Sequence, residues 1–198
     1  MVDQHMLIRE IKEYANSNNI PIMLDDGINF LTTFILKHHV RHVLEIGSAI
    51  GYSAIMMALV DPNITVTTVE RDEKRYLEAL KNIKKFKLED RITLIYDDAF
   101  NVDLGDDEYD LIFIDAAKAQ NIRFFEKFES NLIRGGYIIT DNLKFHGLVE
   151  KDEDEIKSRD LRGLVRKIKN YISYLKDNKQ YDTEFYDVGD GISVSCKK

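Results

Sequence analysis

Apolar and polar positions along this chain switch between a helical and a strand-like period. Residues 3–19 are mostly polar, with apolar positions at Met6, Leu7, Ile11 and Tyr14 that recur at helical spacing and predict an amphipathic helix. Residues 25–38 predict a second helix, with Asp25 or Asp26 as its cap. The period then shortens. Residues 43–46 form a short apolar run stopped by Gly47, and 64–69 is β-branched throughout, so both predict strands. Helices are predicted over 53–60, 72–86 and 122–131, and strands over 92–96, 110–114 and 137–140. A long basic helix is predicted over 155–177. Strands at 184–188 and 192–195, joined by Gly189-Asp190-Gly191, predict a closing hairpin.

Alternating strands and helices predict an α/β fold, a mostly parallel sheet with helices on both faces. The hairpin adds an antiparallel strand at the end. Ligands in such sheets bind at the carboxyl ends of the strands, so candidate chemistry should fall just after strands. The 198 residues show no repeat, no low-complexity linker and no candidate boundary, which predicts one domain over 1–198.

Composition narrows the function classes. Lys and Arg number 28 against 35 Asp and Glu, a net charge of −7. That balance argues against non-specific nucleic-acid binding but leaves room for a local basic patch. The longest apolar run, 54–60, is far short of the roughly 18 residues a membrane span needs. The N-terminus lacks the basic start and apolar stretch of a signal peptide. Cys196 is the only cysteine, so neither an internal disulfide nor a cysteine zinc cage is possible. These features predict a cytoplasmic protein without a membrane partner.

Candidate chemistry does follow the strands. After the first comes Glu45-Ile46-Gly47-Ser48-Ala49-Ile50-Gly51-Tyr52-Ser53. Two glycines four apart let the backbone turn tightly and approach a ligand before a helix starts. A plain glycine turn would look the same. With Ser48 after Gly47 and no glycine again before Gly51, the stretch is not the G-x-G-x-x-G of a dinucleotide loop, which favours a smaller nucleoside over a pyrophosphate. Glu70 ends the second strand, 19 positions past Gly51, where a carboxylate can accept from both ribose hydroxyls. The fourth strand ends at Asp115, with Lys118 close behind, and the fifth at Asp141-Asn142. Two carboxylates and a carboxamide offer hard oxygen ligands suited to Mg²⁺. Asp and Asn are equally ordinary helix caps.

As a set, Glu-Ile-Gly-Ser-x-x-Gly-Tyr-Ser (45–53), Val-Glu-Arg-Asp (69–72), Phe-Ile-Asp-Ala-Ala-Lys (113–118), Ile-Thr-Asp-Asn (139–142) and Val-Gly-Asp-Gly-Ile (188–192) resemble the cation-dependent, catechol-type class I O-methyltransferases. The likeness covers most of the chain in order. It implies a Rossmann-like, seven-stranded sheet with an antiparallel last strand, S-adenosylmethionine as cofactor, and a homodimer in which helices over about 1–40 form a substrate or dimer cap. Carried over by motif, Glu45, Gly47 and Gly51 would line the methionine end of the cofactor, and Ser53 would meet its carboxylate. Glu70 would hold the ribose, and Asp98 and Ala99 would border the adenine. Asp115, which also borders the cofactor, would bind Mg²⁺ with Asp141 and Asn142. Lys118 would be the catalytic base or its electrostatic helper, beside Asp115.

Within the family, Ile20-Pro21-Ile22-Met23, 114–118, Phe145-His146-Gly147-Leu148-Val149 and Arg162-Gly163-Leu164-Val165-Arg166-Lys167-Ile168 are most similar to bacterial tRNA 5-hydroxyuridine methyltransferases. That implies methylation of the 5-hydroxyl at the wobble position, giving 5-methoxyuridine, with the tRNA anticodon loop as partner. Arg162, Arg166 and Lys167 lie on a basic helix that could meet phosphates. His146 and Phe145 could line the substrate mouth. The alternative is a small catechol-like phenol, because vicinal oxygens chelate a metal in either substrate. A third reading, a protein that holds the nucleoside without catalysis, is disfavoured by the full set Asp115, Lys118, Asp141 and Asn142. Ser48, Asp97, Asn121 and Leu143-Lys144 depart from the family pattern.

Overall fold

The computed structural model describes residues 3–198, apart from the Glu153 side chain. Residues 1 and 2 of the expected N-terminal cap lie outside the described residues. The chain divides into two compact units, Met1–Asp103 and Leu104–Lys198.

The first unit holds α1 (Gln4–Ser17), α2 (Asp25–Lys37), β1 (His42–Ile46), α3 (Tyr52–Leu59), β2 (Thr65–Glu70), α4 (Glu73–Phe86) and β3 (Ile92–Tyr96). Its strands run parallel in the order β3-β2-β1, with Val43 beside Val66 and Val66 beside Ile92. The side chain of Asp3 caps α1 by accepting from the His5 amide, and that of Asp72 caps α4 by accepting from the Arg75 amide. Leu7, Ile11 and Ala15 give α1 its buried stripe. A Glu10–Lys85 ion pair of 3.1 Å joins α1 to α4.

The second unit holds β4 (Tyr109–Ile114), a short 3₁₀ turn at Lys118–Gln120, α5 (Asn121–Phe128), β5 (Leu132–Thr140), α6 (Arg159–Asp177), β6 (Tyr181–Tyr186) and β7 (Ile192–Lys197). β4 and β5 are parallel, whereas β7 is antiparallel to both β5 and β6. Across the chain the strand order is β3-β2-β1-β4-β5-β7-β6, and helices cover both faces of this seven-stranded sheet. This is the expected α/β architecture with its antiparallel last strand.

Several boundaries differ from the sequence pattern, three of them for a local reason. α6 starts at Arg159, not 155, because the Ser158 hydroxyl caps it by accepting from the Leu161 amide and residues 153–155 form a separate 3₁₀ turn. β5 begins at Leu132, five residues early. Gly135 is left-handed (φ +77°), and a Cβ on Gly136 would lie 3.0 Å from the Asp110 carbonyl, so the pair absorbs a bulge between Leu132 and Tyr137. β6 sits earlier than 184–188 because its pairing with β7 runs from Tyr181–Lys197 to Tyr186–Ile192.

Candidate functional site

In the first unit the turn between β1 and α3 is built on left-handed glycines, with φ +98° at Gly47 and +81° at Gly51. A Cβ on Gly51 would approach the Ala79 Cβ to 3.3 Å, so the turn is also tightly packed. Backbone amides of Gly47 and Ser48 both donate to the Val69 carbonyl, at 3.0 and 3.2 Å. The buried Asn82 amide donates to the Ile50 carbonyl at 2.9 Å and props the turn from α4. The loop is therefore pre-formed.

Glu45 is fully buried at 0% exposure. Its Oε1 accepts from the Ser53 hydroxyl and its Oε2 from the Thr68 hydroxyl, each at 2.5 Å. A buried carboxylate needs such partners. Ser53, expected at the cofactor's carboxylate, thus has its hydroxyl on Glu45. Glu70 accepts from three backbone amides: Ala49 at 2.9 Å, Arg71 at 2.9 Å and Asp72 at 2.8 Å. These bonds fix its carboxylate at the carboxyl end of β2, beside the glycine turn. Asp98 accepts from the Phe100 amide and pairs with Arg71 at 3.2 Å, and Ala99 behind it is buried. The Ser48 hydroxyl, 2% exposed, has no hydrogen-bond partner. An orphaned hydroxyl in a rigid glycine turn with a fixed carboxylate fits a polar ligand such as a nucleoside cofactor.

In the second unit Asp115, Asp141 and Asn142 come together. The Asn142 amide nitrogen donates to Asp115 Oδ1 at 3.2 Å, and the Asn142 backbone donates to Asp141 Oδ1 at 2.7 Å. Asn142 is left-handed (φ 68°), a conformation that asparagine adopts more readily than most residues. Burial raises the Asp115 pKa against the pull of the Lys118 charge. Burial and the neighbouring Asp115 charge push Asp141 up to about 7, with Asp190 adding to the rise and Lys118 opposing it. Crowded, desolvated carboxylates of this kind mark functional sites. A divalent cation would relieve their repulsion, and two carboxylates plus a carboxamide oxygen are the donors Mg²⁺ prefers. Among the described residues no group of three His, Cys, Asp or Glu is arranged to hold a metal. A cation here would therefore rely on Asn142 as well as the two aspartates. Lys118 opens the 3₁₀ turn after β4, near enough for its charge to act on both.

The remaining candidates separate. Phe145 and His146 follow Asn142 in the loop after β5, with ring centroids 5.6 Å apart. On α6, Arg162 is half-buried, and its guanidinium donates to the Ile156 carbonyl at 2.7 Å, anchoring the preceding segment. Arg166 and Lys167 are exposed on the same helix. The sequence pattern assigned no chemistry to Asp190, which the structure places beside this site. It is 8% exposed, accepts from the His146 amide at 2.6 Å, and influences Asp141. An aspartate between two glycines in a hairpin turn was the available signal.

Comparison with known proteins adds an independent line. The O-methyltransferase family model matches residues 1–198. A caffeoyl-CoA O-methyltransferase of Populus kitakamiensis is 28% identical over 207 residues, covering 98% of this chain and 87% of its own. A solved Staphylococcus aureus structure, provisionally named a caffeoyl-CoA O-methyltransferase, is 36% identical with a TM-score of 0.91, covering 96% of this chain and 92% of its own. A Bacillus cereus O-methyltransferase solved in complex with SAH is 25% identical with a TM-score of 0.83, covering 100% and 93%. No helix among the described residues is long and apolar enough to cross a membrane.

Proposed function

Since the chain belongs to the O-methyltransferase family, we propose that it transfers the methyl group of S-adenosylmethionine to a hydroxyl of a small catechol-like phenol, with a divalent cation, Mg²⁺ by preference, at Asp115, Asp141 and Asn142. The observation that carries this reading is the convergence of those three side chains with Lys118 at the ends of β4 and β5. The relatives add weight. The caffeoyl group named in them carries two vicinal hydroxyls, the pattern that chelates one cation.

Each unit has its own task. In the first, Glu70 accepts from the two ribose hydroxyls, while the glycine turn lets the backbone approach the methionine end of the cofactor. Asp98 and Ala99 border the adenine. S-adenosylmethionine supplies a methyl already activated on sulfonium, so the protein's work is to place it and to make the acceptor oxygen anionic. In the second unit the Lys118 amine, in its neutral form, would take the proton of the acceptor hydroxyl, and the ammonium that results favours the oxyanion left behind. Asp115, Asp141 and Asn142 would hold the cation, which supplies Lewis-acid stabilisation of the oxyanion. Asp115 and Asp141, at neighbouring strand ends, keep the donor atoms on rigid elements.

The second reading is the 5-hydroxyl of 5-hydroxyuridine at a tRNA wobble position, whose 5-hydroxyl and 4-carbonyl form a similar chelate. The exposed Arg166 and Lys167 on α6 favour it, as a surface for the phosphates of an anticodon loop. A homodimer in the cytoplasm, with α1 and α2 as a cap, accords with either acceptor. The test is label transfer from S-adenosylmethionine to a free catechol and, in parallel, to tRNA carrying 5-hydroxyuridine. Label in the catechol supports the first reading; label in tRNA alone replaces it with the second.

A further inference from the structure

The loop after β5 is held in a conformation its sequence disfavours. Phe145 (φ 45°), His146 (φ 55°) and Gly147 (φ 76°) are three consecutive left-handed residues, and Asn142 (φ 68°) precedes them. Two of the three are not glycine, so each loses free energy relative to an ordinary helical or extended residue. Something outside the loop must hold it.

That restraint comes from the β6–β7 turn. The Leu143 amide donates to the Gly191 carbonyl at 2.9 Å, and the Lys144 amide to the Asp190 carbonyl at 2.7 Å. The Lys144 ammonium pairs with Asp187 at 2.6 Å and Glu150 at 3.2 Å. Within the loop the Leu148 amide donates to the Phe145 carbonyl at 3.1 Å, and from the β6–β7 turn the left-handed segment is gripped through the His146 amide, which donates to Asp190 Oδ1 at 2.6 Å. A carboxylate accepting from an amide is stronger than a neutral pair. Asp190 is buried to 8% exposure, an environment in which a carboxylate is costly unless it is hydrogen-bonded or paired, as it is here by the His146 amide. Its second oxygen, Oδ2, has no hydrogen-bond partner and lies 3.8 Å from His146 Nδ1. The turn is shaped for this approach. Gly191 is left-handed (φ +86°), and a Cβ there would come within 2.8 Å of Lys144 Cγ and 3.0 Å of Lys144 N.

We infer that Asp190 is a positioning residue for the acceptor: through the His146 amide it holds Phe145 and His146 in the one loop conformation that receives a flat aromatic substrate beside Asp141 and Asn142. The inference rests on the acceptor reading above. Asp190 touches neither the cofactor nor the reacting atoms in this account. It acts on the loop, so its loss should appear in acceptor binding more than in the chemical step.

The experiment compares Asp190→Ala with Asp190→Asn in the full chain. Asparagine keeps an oxygen for the His146 amide but removes the charge. Hydrogen exchange at the His146 amide, read by NMR without substrate, should accelerate about 10- to 100-fold in the alanine variant, the range for loss of one charged-acceptor hydrogen bond. Catechol KM should rise about tenfold in Asp190→Ala, with kcat changed less than about threefold. Asp190→Asn should return both readouts to within about threefold of wild type. Cofactor affinity by calorimetry and a cooperative melt confirm the fold of each variant; if the alanine variant does not fold, Asp190→Leu, which also lacks an acceptor for the His146 amide, takes its place beside the asparagine variant. The inference is overturned if Asp190→Asn raises KM as alanine does, since charge rather than the hydrogen bond would then be responsible. Unchanged exchange in Asp190→Ala, or faster exchange with unchanged KM, overturns it too. The exchange measurement needs no acceptor, so it separates failure of this inference from failure of the catechol reading.

Discussion

The Asn142 carboxamide nitrogen lies 3.2 Å from Asp115 Oδ1, joining the second residue after β5 to the residue after β4. In a carboxylate-rich site the amide offers its donor to the negative charge. A cation between the two would call for the amide oxygen instead, which a rotation of the terminal torsion supplies. The same three residues can therefore satisfy one another without a cation and hold one when it arrives.

Asp141 titrates in a way that can be tested by stability. Its folded pKa, pushed up to about 7, lies above the ordinary carboxylate value. The folded state thus binds more protons than the unfolded state between pH about 4 and about 7, and the metal-free protein loses stability as pH rises through that window. Asp141→Asn removes the ionisation. It should raise the metal-free melting temperature at pH 8 by several degrees and do much less at pH 5, while abolishing turnover. Differential scanning fluorimetry at the two pH values checks this; an equal shift at both would contradict it.

Lys118 should matter to rate more than to binding. Lys118→Met removes both the charge and the proton acceptor and should lower kcat by about 10²- to 10⁴-fold. Calorimetry should find cofactor affinity nearly unchanged. A large loss of cofactor affinity would instead make Lys118 a binding residue.

Glu70 is held by three backbone amides, so its carboxylate is pre-organised. Glu70→Ala should weaken S-adenosylmethionine binding by about 10- to 100-fold, the range for losing charge-assisted hydrogen bonds. Titration calorimetry measures it directly.

Gly191 tests how tightly the β6–β7 turn is fitted. A Cβ there would meet the Lys144 backbone nitrogen at 3.0 Å, and backbone cannot move as a side-chain tip can. Together with the left-handed φ, this predicts that Gly191→Ala destabilises the fold by about 1–3 kcal/mol, measured by urea unfolding. By contrast, Gly105→Ala should cost less, since nothing lies within 4 Å of a Cβ there.

The sheet was legible because its strands carry continuous apolar or β-branched runs, as at 64–69 and 110–114, which a buried parallel strand requires. The start of β5 was not, because Arg134-Gly135-Gly136 reads as a turn until the bulge opposite Asp110 is seen. In the same way, Asp115, Asp141 and Asn142 were legible as a group from their place at strand ends. Asp190 was not, since its contact with His146 crosses 44 residues and depends on loop conformation. Arg162 reads as a phosphate contact by charge alone, and its hydrogen bond to the Ile156 carbonyl was not legible in the sequence. Helix periodicity records which face a residue occupies, not which nearby backbone group its long side chain will find.

The most direct measurement is methyl transfer from labelled S-adenosylmethionine to a catechol, run with Mg²⁺, with EDTA, and with Asp141→Ala in place of the wild type. The account predicts labelled product with Mg²⁺, none with EDTA, recovery when Mg²⁺ is restored, and none from Asp141→Ala despite normal cofactor binding. Turnover that persists in EDTA, or in the Asp141→Ala variant, would contradict the assignment of Asp115, Asp141 and Asn142 as a cation site for catalysis.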